Sequence, residues 1–227
     1  MVDLVFLCVL IGVTVFATIA VLVRAKLQRA EKQMTTRAFE GFARTHLAPT
    51  DAPRSASRRA SFKGDAGHLG ELPTREPVRL LALGNEGVKY TIMEAQLPDA
   101  ICARLVCTTE KKQARRGKQN GGASPKAKLA SVSIAPMFDQ VFRTETTPAA
   151  LARRALTTEM QRGLVAFSMG QPLRFAYDKG WLSLKWPGHE HNDARLEEAL
   201  RLLTLAAASF RRVYAPEPSA EPVALQA

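Results

Sequence analysis

The local signatures on which most enzyme assignments rest are missing from this sequence. Gly84-Asn85-Glu86-Gly87 and Gly121-Gly122 have neither the spacing nor the context of a phosphate-cradling loop. No G-x-S-x-G elbow occurs, so that route to an activated serine is closed. Cysteine is scarce: Cys8 falls in the apolar N-terminal stretch, while Cys102 and Cys107 are five apart, a spacing that sends them to opposite faces of a strand. With no C-x-x-C or zinc spacing, neither a disulfide framework nor a cysteine metal knot is available, and three thiols suit a reducing compartment. Aromatic residues make up only 7% of the chain, and the basic run 110–128 holds none, which removes the stacking platform of a single-strand nucleic-acid binder. No catalytic constellation and no cofactor is indicated.

What is present begins with an apolar run. Leu4 to Val23 carries no charge and no proline. At about 1.5 Å rise per residue it spans roughly 30 Å, the thickness of a bilayer's hydrocarbon core. It is apolar all round, unlike a soluble helix, and it lacks the basic start of a signal peptide. Arg24, Lys26, Arg29 and Lys32 follow it, whereas only the α-amino group and Asp3 precede it. Flanking Lys and Arg stay in the cytoplasm, so the chain is expected to sit in the bacterial inner membrane as a single-pass protein, N-terminus outside and the rest cytoplasmic. Membrane lipid is thus an expected partner, and a protein partner is a second.

The net charge of +11 is unevenly placed. Residues 24–63 and 110–128 hold the excess, and the remaining sequence is nearly balanced, which argues against a DNA-binding face and makes nucleic acid an unexpected partner. After the span, Leu27, Met34, Ala38, Phe42 and Leu47 recur near one helical stripe, predicting a basic juxtamembrane helix over 24–47. The Pro, Ser, Gly and Ala content of 48–76 predicts a flexible linker. Within it, Arg58-Arg59-Ala60-Ser61 looks like a basophilic kinase substrate, which makes Ser61 a modification candidate.

From Pro77 onward the pattern changes to strands. Val78–Leu83 is one, and Val88, Tyr90 and Ile92 alternate against Lys89, Thr91 and Met93 in a second. Ile101, Ala103, Leu105 and Cys107 share a face of a third, and 129–135 and 141–147 supply two more. Thr147 with Pro148 predicts a helix start, and a capping box at Thr158 and Gln161 predicts two short helices bent near Thr157. Asp178-Lys179-Gly180 joins two alternating segments as a three-residue hairpin loop. Asn192 or Asp193 caps a last helix with Leu196, Leu200, Leu203, Ala207, Phe210 and Val213 on one face. The proline-spaced end, 214–227, is expected to be disordered. The class is therefore α+β: one N-terminal transmembrane helix (1–23), then a cytoplasmic domain (77–213) of antiparallel strands with two to three packing helices.

Phe138-Asp139 and Phe142, followed by Leu156-Thr157 and Leu164, a strand pair and an amphipathic helix, carry a resemblance. Residues 129–213 resemble the C-terminal half of uncharacterised bacterial single-pass membrane-anchored proteins. The resemblance implies an architecture, and it brings no activity, ligand or catalytic residue with it.

Three sets of residues are candidates for chemistry. His189 and His191, with Glu190 or Asp193, could ligate a metal and support a membrane-bound metal-dependent hydrolase; the alternative is a solvated loop entering a helix. Lys111, Lys112, Arg115, Arg116, Lys118, Lys126 and Lys128 could hold anionic lipid or RNA, or form a solvated insertion between strands. Trp181 and Trp186, five apart on one strand, must face opposite sides. The leading expectation is a membrane-anchored, non-enzymatic protein with a cytoplasmic interaction domain.

Overall fold

The computed structural model describes residues 2–48, 66–72, 75–85, 88–97, 103–109 and 129–214. Ser61, Cys102, the basic run 110–128 and the tail beyond Tyr214 lie outside the described residues.

The apolar run and the juxtamembrane helix are one helix, α1 (Val2–His46). Its N-terminal part is long and apolar enough to cross a membrane, with none of the qualifying window buried against the rest of the chain. Eight strands then form one antiparallel sheet: β1 (Ala66–Glu71), β2 (Pro77–Asn85), β3 (Val88–Gln96), β4 (Arg104–Thr109), β5 (Ala130–Ser131), β6 (Phe142–Thr147), β7 (Arg174–Asp178) and β8 (Trp181–Pro187). Their order across the sheet is β1-β2-β3-β8-β7-β4-β6-β5. The helices are α1, the single turn α2 (Pro136–Asp139), α3 (Ala149–Ala155), α4 (Thr158–Ser168) and α5 (Asp193–Tyr214).

The helices cover one face of the sheet. Val78, Leu80 and Ala82 of β2, Met93 and Ala95 of β3, Leu105 and Cys107 of β4, Phe175 and Tyr177 of β7, and Leu182, Leu184 and Trp186 of β8 all point into this layer. Leu196, Leu203, Ala207 and Phe210 of α5 meet them, as the helical stripe predicts. α4 approaches α5 closely at Gly163, where an added Cβ would lie 2.5 Å from Leu202 Cδ2.

Several local expectations are corrected. The last part of the expected linker is strand β1, paired along its length with β2 from Ala66↔Ala82 to Glu71↔Pro77. Its sequence, AGHLGE, has no apolar alternation to betray it; pairing and the packing of α1 hold it. Leu47 lies against Gly70, and Ala48 pairs with Glu71. The expected stripe on α1 is also divided. Phe39, Phe42, Ala43 and Leu47 are buried in the core, whereas Leu27 and Met34 are exposed on another side of the helix. In β3 the buried positions are Thr91, Met93 and Ala95, and Tyr90 and Ile92 are only half-buried.

Thr147 does not cap a helix. It pairs with Arg104 as the end of β6, and Pro148 occupies the position before α3. The cap of α4 is Thr157, whose hydroxyl accepts a hydrogen bond from Met160 N at 3.3 Å. Asp178 pairs directly with Trp181, so the hairpin turn has two residues, Lys179 and Gly180, both at positive φ. That geometry matches the twist of the flanking strands.

Candidate interaction surface

The side of the sheet away from the helices is a mixed surface built by strand alternation. Residues opposite one another in an antiparallel ladder share a face, so the register places Arg79, Glu94, Ser183, Ala176, Val106 and Glu145 in one row across six strands. The neighbouring row holds Leu81, Ile92, Lys185, Arg174, Thr108 and Arg143. Val106 and Ala176 are buried beneath their longer neighbours and form a small apolar floor.

Charge on this face is mostly paired. Arg79 bonds Glu94 at 2.8 Å and stacks its guanidinium 3.5 Å from the Trp181 ring centre. Arg104 stands 3.8 Å from Asp178, and Arg143 lies 3.0 Å from Glu145. Arg174 and Lys185 break the pattern: two cations stand directly opposite each other across β7 and β8. Lys185 reaches over the Tyr90 ring at 3.9 Å. Burial pushes its ammonium below the usual lysine range, and the Arg174 charge adds to that shift. Like charges facing across a ladder cost stability, so this pair favours an external anion.

Both cations lie toward the end of the sheet where α1 arrives from its apolar half. There Glu31 of α1 bonds Lys89 at the start of β3 and lies 3.3 Å from His189 Nδ1. The His189-Glu190-His191 loop is thereby built into the junction of helix and domain. Glu190 accepts hydrogen bonds from Trp186 Nε1 (3.2 Å), His191 N (3.1 Å) and Asn192 N (3.0 Å), and it lies 3.3 Å from Arg195 Nε. The His189 side chain is 4% exposed, while His191 is exposed. The structure thus brings His189 and Glu190 into structural contacts, while the His191 side chain stays exposed and only its backbone amide bonds Glu190. Among the described residues there is no group of three His, Cys, Asp or Glu side chains placed to hold a metal ion.

Trp186 is buried edge-on against Phe167, with ring centres 5.3 Å apart, and Trp181 lies on the opposite face under Arg79. The Arg174–Lys185 pair was missed in the sequence because its signal is cross-strand: it needs the hairpin register, which the two-residue turn fixes.

Neither the known protein families nor the curated proteins contain a match to this chain. Among solved structures, the crystal structure of the mycobacterial trehalose monomycolate transport factor A, TtfA, is similar, with 15% identity and a TM-score of 0.48. The match covers 81% of this chain and 98% of that one. A likeness this distant carries no argument about activity or partner.

Proposed function

We propose that this chain is a single-pass membrane protein that works by binding rather than catalysis, with its N-terminus outside and its α+β domain on the cytoplasmic side of a bacterial inner membrane. The observation that carries the reading is the continuity of α1. A bare apolar half and a half buried in the domain core belong to one unbroken helix. An anchor followed by a flexible linker would let the domain tumble. A helix shared by membrane and core instead holds the domain at a set height and orientation. Glu31 stands eight residues past Val23, or about 12 Å of helix rise.

The surface so held is the uncovered face of the sheet, and its occupant in this reading is a protein segment that presents carboxylates to Arg174 and Lys185. Its apolar parts would meet Tyr90, Ile92 and the Trp181 edge. The basic run 110–128 would bind anionic headgroups, through Lys111, Lys112, Arg115 and Arg116 foremost.

Two measurements test this reading. A cysteine in place of Ala227 should resist an impermeant thiol reagent in intact cells and react after lysis; labelling in intact cells would reverse the topology. A photo-reactive residue at Ser183 should cross-link one discrete protein, and Arg174→Glu with Lys185→Glu should abolish the product. Undiminished cross-linking in the charge-reversed protein would remove the uncovered face as the interface.

A further inference from the structure

Leu27 and Met34 have no place in the domain. They are 65% and 56% exposed, although they lie beyond the apolar span. They stand four and eleven residues past Val23, or about 6 and 16 Å of helix rise. Lipid tails do not reach a side chain at the farther position, and the domain does not cover either one.

These two residues share a stripe with Val23 and Ala30. The steps from 23 to 27, 30 and 34 alternate four and three residues, the a/d spacing of a two-stranded coiled coil. Carried back into the span, the same phase passes through Ala20, Phe16 and Val13, and Phe16 is 74% exposed. No position there is charged and apolar residues stand on every side, so the phase is set by the four residues from Val23 to Met34.

The domain lies on the other side of α1. Thr35, Phe39, Phe42 and Ala43 are buried, and in this heptad they take outer positions b, f, b and c. The a/d seam and the buried face therefore point to different sides of α1, and the domain comes nearest the seam at Glu31, which bonds Lys89 and lies 3.3 Å from His189 Nδ1. Charged residues of the first turns stand off the seam: Arg24 and Glu31 at e, Lys26 at g, Arg29 at c and Lys32 at f. In a parallel pair, position g of one helix faces the following e of the other, which brings Lys26 near the second copy's Glu31, a carboxylate that also holds Lys89 and His189 of its own domain. The seam ends where it should, because the next d and a positions are Arg37 and Gly41. Two Arg37 side chains repel, and Gly41 offers no side chain to pack.

We propose that α1 pairs with a second copy of itself, in parallel, through Val23, Leu27, Ala30 and Met34. The inference rests on reading α1 as membrane-spanning: two copies with one topology enter from the same side, so the parallel orientation comes without further cost. With only two turns of seam outside the bilayer, the pair needs the shared membrane to raise its effective concentration.

The test uses the full chain in membranes, with Cys8→Ser and Cys102→Ser and with the buried Cys107 kept. Single cysteines are then placed on the seam by Leu27→Cys or Met34→Cys, and off it by Arg29→Cys. Mild oxidation should give a disulfide-linked dimer several-fold more readily from the seam positions than from Arg29→Cys. A Leu27→Glu change should suppress cross-linking through Met34→Cys while the protein stays in the membrane fraction and its domain resists protease as before. Equal cross-linking on and off the seam, or none at the seam, overturns the pairing. A chain missing from the membrane fraction sinks the spanning reading, and the pairing with it.

Discussion

Glu31 Oε1 of the long helix lies 3.3 Å from His189 Nδ1 at the end of the sheet, and the same carboxylate bonds Lys89. One acidic side chain thus fastens the long helix to β3 and to the loop after β8, which are far apart in sequence. The hydrogen bond from Lys89 holds the Glu31 carboxyl below its usual range, against the opposing effect of burial, with smaller help from the charges of Lys89, His189 and His191. A depressed carboxyl contributes stability above its ordinary value of 4.5 and loses it as pH falls through that value and below. Glu31→Gln should therefore cost about 1 kcal/mol at neutral pH, the scale of a partly solvated pair. Urea unfolding of wild type and variant should converge as the solution is acidified. A gap that stays constant down to strongly acidic pH would mean that charge at Glu31 does not matter.

The contact between α1 and β1 depends on a missing side chain. A Cβ added at Gly70 would lie 2.7 Å from Leu47 Cβ, too close for atoms held by two backbones. Gly70→Ala should destabilise the domain by about 1–3 kcal/mol through overpacking. The penalty should shrink in a Leu47→Ala background, and a double-mutant cycle measures that coupling. Additive effects would mean that the strand accommodates the methyl by moving elsewhere.

Cys107 sits in the core of β4, and burial pushes its thiol up to about 12, against a small lowering by the Thr144 hydroxyl nearby. Almost none of it is thiolate at neutral pH, and only the thiolate attacks. In a Cys8→Ser, Cys102→Ser background, thiol labelling should be negligible in buffer and should rise along the unfolding curve. Rapid labelling of the folded protein would show that the core opens locally.

Much of this fold is legible in the sequence where pattern and turn chemistry agree. The hairpin declares itself by Lys179-Gly180 between alternating segments, and α5 by its leucines. The failures have separate causes. β1 is an edge strand, AGHLGE, whose stability comes from β2 and Leu47 and not from its own residues. In β2 both faces are apolar, with Leu80 and Leu81 each buried, so alternation could not say which side faces the helices. On α1 a single helical stripe absorbed residues from two sides, and that error hid both the core contact of Phe39 and the exposed pair Leu27 and Met34. The His189-Glu190-His191 run reads as metal chemistry in a string of letters. In space, Glu190 is occupied by backbone amides, Trp186 and Arg195.

The basic run 110–128 predicts a lipid response that needs no knowledge of its conformation. A soluble fragment without residues 1–23 should bind anionic vesicles weakly and release as salt rises, because three or four headgroup contacts at about 1 kcal/mol each are screened over a Debye length of about 8 Å. Added RNA should compete for the same charges. Neutralising Lys111, Lys112, Arg115 and Arg116 should weaken vesicle binding several-fold, the basic stretch 24–63 of the same fragment keeping the remainder, and should leave thermal stability unchanged. Equal binding by the neutralised fragment would make the run a solvated insertion.

The domain boundary can be settled by where a fragment is cut. The sequence pattern starts the domain at Pro77, but the core includes Phe39, Phe42, Ala43 and Leu47 of α1, all buried. Burying two phenylalanines and a leucine contributes about 1.5–3 kcal/mol each, or roughly 5–9 kcal/mol together. That is comparable with the whole stability of an ordinary domain, about 5–15 kcal/mol. A fragment starting at Pro77 also loses β1 and exposes the edge of β2. It should therefore be unfolded or aggregated, while a fragment starting at Arg24 should unfold cooperatively, with α1 contributing to the transition. Circular dichroism and denaturant titration of the two fragments decide the matter. If the shorter one unfolds cooperatively with an undiminished midpoint, then α1 only decorates the domain, and a rigid link between anchor and sheet cannot be the basis of what this protein does.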